Sequence, residues 1–334
     1  MDKKAKTILR YLLWGSLAVV LMYLCLRSID WQQFAQALRL CRWEYVILSM
    51  VLGALIFLIR GNRWRMLLLP FDASVSRITT FNAYNICMAV NLALPRAGEV
   101  VRLGYVVKHS AADKDGKRLL SFDKALGTLL IERAWDVILP LAMAAVLLAV
   151  MWDHFGGFLL ESLDRVGGSR TLWWALAGLI ALIAGLLWLS YALRERSGIW
   201  AKIWGFLSGI GKGLGSFAHM KGAWLFFLYT ALIWIIYWLM SVCIVLALQD
   251  IEAFSSLTMT DAFFLMIAGT VSSVVPVPGG FGAYHGVVCG ALLSIWGIPI
   301  GTGMIFATLS HESQVITQAL CGLASYIHEN FFRK

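Results

Sequence analysis

Residues 78–96 read ITTFNAYNICMAVNLALPR, an apolar stretch long enough for a helix but carrying Asn82, Asn85 and Asn91 and ending at Pro95. It is also basic on both sides: Arg77 precedes it, and Arg96, Arg102, Lys108, Lys114, Lys117, Arg118 and Lys124 follow. Positive charge at both ends places both ends on one side of a membrane. A stretch with three amides and a proline does not face lipid, because freed backbone groups need internal partners. The reading is a re-entrant or broken helix that enters and returns. A second interrupted stretch, PVPGGFGAYHG at 276–286, sits in a segment without a single acidic, lysine or arginine residue between Ala262 and Thr308.

The rest of the chain supports a membrane solvent. It has 334 residues, of which 60% are hydrophobic and 14% charged, against soluble averages of about 45–50% and about 25%. Fifteen tryptophans suit membrane interfaces. Apolar stretches lie at 11–26, 45–59, 78–94, 125–152, 171–193, 223–248, 262–275, 283–298 and 300–327, and a span needs about 20 such residues. The first follows Lys3, Lys4, Lys6 and Arg10 and reads as a retained span, not a cleaved leader.

Charge then sets the topology. Arg60, Arg63 and Arg65, the 96–124 segment, the loop from Arg194 to Lys221, and Arg333 with Lys334 form a basic, cytoplasmic side. Asp153, Glu161 and Asp164, and the loop with Asp250, Glu252 and Asp261, form an acidic outer side. Arg27, Arg39 and Arg42 run against this pattern. The expected fold is an all-α polytopic membrane protein with six full spans, two Pro/Gly-broken re-entrant elements and both termini cytoplasmic. Residues 30–42 and 199–217 are expected to lie on the surface, the first with Trp31, Phe34, Ala35 and Leu38 on one face.

The two broken segments correspond. Glu132 lies 37 residues past Pro95, and Glu312 lies 36 past Pro276. With three spans per half, residues 1–165 and 166–334 form an inverted repeat within one transmembrane domain, and such paired interruptions point to a midplane transport site.

The residues able to carry chemistry follow from those breaks. A helix starting near Ala97 puts Glu99 in its first turn and turns amide groups toward an anion; Arg96 and Arg102 could grip a phosphate, with Asn91 satisfying freed backbone. Glu132 and Asp136 share a helix face, and Arg133 reaches Asp136; buried charges of this kind mark either a pathway or a structural clasp near the cytoplasmic end, with Arg96 or Arg102 as partner. Pro278, Gly279 and Gly280 permit a tight turn, followed by His285, with Glu312 in the last helix. Arg60 and Arg63 are placed for headgroup contact. No metal is signalled: the six cysteines are scattered, and His311-Glu312 lacks the second histidine of HExxH because Val315 stands there. No cofactor is expected, and the net charge of +9 is topogenic, not directed at nucleic acid.

In order, RGNRWRMLL, NLALPRAGEVVR, ERAWD and PVPGGFGAYHG resemble the lysylphosphatidylglycerol synthase transmembrane-domain family, the flippase-like UPF0104 proteins. The resemblance covers nearly the whole chain and implies a bacterial or archaeal plasma-membrane protein related to the flippase half of multiple peptide resistance factors. Ending at Lys334, the chain is not expected to make lysyl-lipid itself. Two departures stand out: His285 falls where the family's glutamate is expected, and His311-Glu312-Ser313 replaces a tyrosine-arginine pair. The implied function is translocation of a phosphate-bearing lipid: a phospholipid, an aminoacylated phospholipid or a polyprenyl-phosphate-linked sugar. The alternatives are an integral-membrane transferase acting on lipid phosphates, or an accessory subunit of a lipid synthase. Expected partners are membrane lipids, with a separate lipid-modifying enzyme or a second copy also compatible.

Overall fold

The computed structural model describes residues 31–153, 222–273 and 277–332, with Tyr23, Val275 and scattered positions between 155 and 208. The stretches expected to span at 11–26 and 171–193, and the surface segment 199–217, lie outside the continuously described residues, as does Asp30. Among the described residues every regular element is helical, apart from an isolated bridge between Ala112 and Arg118.

The order is α1 (Trp31–Leu40), α2 (Trp43–Leu68), α3 (Arg77–Ala93), α4 (Ala97–Lys108), α5 (Phe122–Val150), α6 (Ala223–Ala247), α7 (Met259–Ser272), α8 (Ala283–Trp296) and α9 (Ile300–Ile327). Three of these, α2, α5 and α6, are long and apolar enough to cross a membrane. At 28 residues α9 is equally long, about 42 Å at 1.5 Å per residue, but it carries a polar stripe. Outward faces of α2 (Ile47, Val51, Leu58) and α5 (Val137, Leu141, Val146) are exposed and apolar, as lipid contact requires. The surface helix α1 buries Ala37 and packs Phe34 and Leu38 on the core, leaving Trp31 and Ala35 exposed.

Charge sorts the molecule into two poles. At one, Arg42 grips Asp250 with two bonds of 2.7 Å, and the Arg42 amide donates to Ala247. Arg42 thus neutralises an acid of the α6–α7 loop, which accounts for its presence among acids. At the other pole His109 and Tyr105 meet Glu329, while Arg65 donates to the Val75 carbonyl. Asp72 closes that basic pole. Its carboxylate accepts from Ser74 (N and Oγ), Ser110 Oγ and the Ala111 amide at 2.6–2.9 Å.

The Asp72 bonds bring the start of α3 beside the end of α4. The two form a hairpin whose base is at the basic pole and whose tip is Leu94–Arg96. The helices α7 and α8 form a second hairpin with its base at the acidic pole, where Phe264 packs on Trp296. Its tip, Val277–Gly282, meets the first tip: Arg96 donates to the Ser273 carbonyl at 3.4 Å, and Gly279 lies beside the Leu92 carbonyl. Apolar helices gain nothing from leaving lipid, so close backbone approach must hold them. Gly61 lets α3 press on α2, where an added Cβ would stand 3.2 Å from the Phe81 backbone. Gly322 does the same against Ala89 on the α9 side.

Burial pushes the Asp72 carboxyl up, but its hydrogen bonds outweigh this and hold it below the usual carboxylate range. A depressed folded-state value gives stability that is present above the unfolded value and lost as pH falls through the folded one. The Asp72→Asn protein should therefore melt lower than wild type at neutral pH. That gap should shrink as pH drops below about 4, the unperturbed range for aspartate; thermal melts in detergent across pH check it.

Candidate functional site

Helix periodicity puts Arg60 and Arg63 one turn apart on α2, and Glu132 and Asp136 one turn apart on α5. The two faces meet inside the protein. Asp136 accepts from Arg60 Nη1 and Arg63 Nη2, both at 2.7 Å. Glu132 is bonded by Arg102 of α4 and also lies 3.5 Å from Arg63 and 3.8 Å from Arg60. Arg133 pairs with Glu99 at 3.0 Å and approaches Asp136 at 3.7 Å. The side chains of Arg63, Arg102 and Glu132 are fully buried.

Aromatic rings complete the enclosure. The Arg102 guanidinium lies 3.8 Å from the Trp64 ring centroid and 5.0 Å from that of Tyr84; Arg60 lies 5.9 Å and 5.6 Å from Tyr84 and Tyr237. A cation over a ring face keeps part of the stabilisation it loses on leaving water. Trp64 is itself anchored by donating to Thr128 at 3.0 Å. Four guanidinium groups face three carboxylates here, so the cluster carries one positive charge in excess.

Pro95 and Gly98 shape the first tip. Leu94 is extended and Arg96 takes a left-handed conformation (φ 59°), the sole non-glycine with positive φ among the described residues. Asn91 accepts from the Gly98 amide at 2.8 Å, and the Ala97 amide donates to Leu94. The first two amides of α4 are thus already satisfied, and Glu99 occupies its first turn. At Gly98 a Cβ would strike the Cys87 carbonyl, so only glycine permits this contact.

In the second tip Val277 is extended and Gly279 takes φ 58°, followed by Gly280 at 79° and Gly282 at 77°. The left-handed residue follows Pro278, as Arg96 follows Pro95. The Gly279 carbonyl accepts from His311 Nε2 at 2.9 Å. Tyr284 and Ser310 join at 2.7 Å, linking α8 to α9.

A cavity of about 590 Å³ opens where the tips meet. On one wall are Arg60, Arg96, Glu99, Arg133 and Asp136; on the other are Gly279, Gly280, Tyr284 and His311. Asn91 also lines it. Arg63, Arg102 and Glu132 stand behind the first wall, and His285 and Glu312 behind the second. Pro278 forms the turn without lining the cavity. Arg63, expected at headgroups, is drawn inward because the α5 carboxylates lie within its reach. Sequence reasoning passed over Tyr84, Tyr237, Gln314 and Gln318, which also line the cavity. His311, Gln314 and Gln318 form a polar stripe at helical spacing, a signal readable in the sequence.

A family model described as the lysylphosphatidylglycerol synthase TM region matches residues 8–322. No curated protein and no solved structure matches the chain.

Removing one partner from a buried ion network strands the others, at about 3–5 kcal/mol. Glu132→Gln should therefore destabilise the protein by about that amount, leaving Arg63 and Arg102 short of a counter-charge. The Glu132→Leu/Arg102→Met pair should recover much of the loss. Thermal melts of Glu132→Leu, Arg102→Met and the double in detergent measure this coupling; strict additivity would show that the pair does not interact.

Proposed function

The chain belongs to the lysylphosphatidylglycerol synthase transmembrane-region family, a membrane family linked to lipid modification or translocation, and from that membership we propose that it moves a phosphate-bearing lipid between membrane leaflets. The observation that carries the reading is the cavity where the hairpin tips meet, with its excess positive charge on one wall. A phosphodiester is the complement of that wall. Arg60, Arg96 and Arg133 line the cavity and bind the phosphate; Arg63 and Arg102, locked on Glu132 and Asp136, hold the wall in place. Glu99 and Asp136 limit the charge and engage cationic headgroup parts.

The two hairpins are the gates. In this reading they are re-entrant elements of an inverted repeat, 1–165 and 166–334. In support, the helix lengths run 26, 17, 12 and 29 residues in the first half and 25, 14, 14 and 28 in the second. Each tip has an extended residue, a proline and a left-handed residue. Broken segments in matching positions of two halves are the usual place for a midplane transport site. The basic pole faces the cytoplasm of a bacterial or archaeal plasma membrane by the positive-inside rule. The acceptor or donor of the lipid is a separate lipid-modifying enzyme, and transport draws on an ion gradient or downstream consumption.

Reconstitution in vesicles tests the reading. Wild-type protein should accelerate the exchange of fluorescent phosphatidylglycerol, its aminoacylated form or a polyprenyl-phosphate sugar between leaflets. Arg133→Gln and Arg96→Gln should each slow it at least about tenfold, since a hydrogen bond to a charged group is worth about 1.5–3 kcal/mol. No acceleration for any of these lipids by folded protein would sink the proposal.

A further inference from the structure

The second wall holds a group of side chains that lipid translocation does not use. His285 lies on α8, His311 and Glu312 on α9, and their donor atoms lie within 4.8 Å of one another. We propose that these three residues bind a divalent transition-metal ion of the zinc class.

The tautomer of His311 carries the first argument. The Gly279 carbonyl can only accept, so the His311 Nε2 that meets it at 2.9 Å must bear the proton. In neutral imidazole the other nitrogen, Nδ1, is then a bare lone pair. That lone pair stands 3.1 Å from Glu312 Oε1, itself an acceptor. Two acceptors at contact distance repel unless a cation joins them.

Candidates for that cation are few. Among the described residues the ion pairs of Glu312 are with His285 and His311, and no lysine or arginine reaches it. Glu132 and Asp136 differ in this respect, each held by arginines. A proton shared by His311 and Glu312 would relieve the repulsion but leaves His285 unexplained. His285 is 1% exposed, its Nδ1 has no hydrogen-bond partner, and its Nε2 stops 3.5 Å from the same Glu312 oxygen. A buried imidazole left in that state is costly. One metal ion gives His285 Nε2, His311 Nδ1 and Glu312 Oε1 a common partner, His285 Nδ1 lying outside that set.

The distances fit. Zinc bonds of about 2.0–2.1 Å to nitrogen and oxygen set tetrahedral ligand-to-ligand edges of about 3.3 Å. The two edges meeting at Glu312 Oε1 are 3.1 and 3.5 Å. Two imidazoles with one carboxylate select zinc, cobalt, nickel or iron over magnesium or calcium. The Gly279 carbonyl on His311 Nε2–H is the outer-shell bond that metal-bound histidines use to hold tautomer and ring orientation. Through it the ion ties α8 and α9 to the tip turn, where Gly280 also packs: a Cβ there would stand 3.2 Å from His311 Nε2. Three protein ligands leave a fourth position for water or a substrate oxygen, and His311 lines the cavity.

The test uses the full chain in detergent, with any affinity tag removed and metal stripped by chelator, titrated with Co²⁺ and then Zn²⁺. The expected result is one Co²⁺ per chain with the strong visible bands of a four-coordinate site, displaced by Zn²⁺, and a melting temperature raised by either metal. His285→Gln, His311→Gln and Glu312→Gln should each weaken Co²⁺ binding by more than the roughly 10–100-fold that loss of an outer-shell partner brings. His109→Gln, at the basic pole, should bind as wild type. Wild-type protein that takes up neither metal stoichiometrically overturns the proposal without reference to any variant, as does binding that survives all three ligand changes. Metal binding is read without lipid, so its failure and a failure of lipid translocation are separate results.

Discussion

The Glu132 and Asp136 carboxylates are the point on which the first half depends. Two helices deliver arginines to them, two from α2 and one from α4, while Arg133 of α5 extends the network to Glu99. Within a membrane protein the apolar surfaces of helices find lipid as good a solvent as one another, so hydrophobic burial cannot select the arrangement of α2, α4 and α5. Charge can. An arginine left without a counter-charge in this interior costs several kcal/mol, so any arrangement that separates α5 from α2 or α4 is penalised. The clasp and the cavity wall are one object, because Arg60 and Asp136 belong to both.

The hairpin tips use a second constraint. A chain that reverses inside the protein must free backbone groups and then satisfy them. At the first tip Asn91 does this by capping the Gly98 amide; at the second the carbonyl of Gly279 is taken by His311. Both tips pass through the same left-handed backbone after a proline, at Gly279 without cost and at Arg96 with the penalty of a side chain there. At Arg96 the strained residue projects a guanidinium into the cavity, and strained backbone of this kind concentrates at functional positions.

The two walls of the cavity therefore differ in chemistry. One is fixed in charge by arginines that never lose their protons. The other presents a glycine turn, Tyr284 and His311, with His285 and Glu312 behind them.

The sequence by itself determined the solvent and the breaks. Runs of apolar residues require lipid, Pro95 and the 276–282 glycine-proline run cannot continue a helix, and Glu132 with Asp136 falls on one face by period alone. Those facts are local, set by 3.6-residue spacing and by what proline and glycine permit. Which partner each charge takes was decided only by the tertiary structure. Arg63 reads as a headgroup residue, and Arg102 as either a phosphate ligand or a clasp partner of α5, because sequence separation does not say that α5 lies within 4 Å of both. The pairing of His285 with Glu312, 27 positions apart, and the left-handed backbone shared by Arg96 and Gly279 are equally invisible. Contacts between helices depend on how the helices rotate against each other, and in lipid that rotation is settled by the few buried charges and small residues, not by the apolar majority that the sequence advertises.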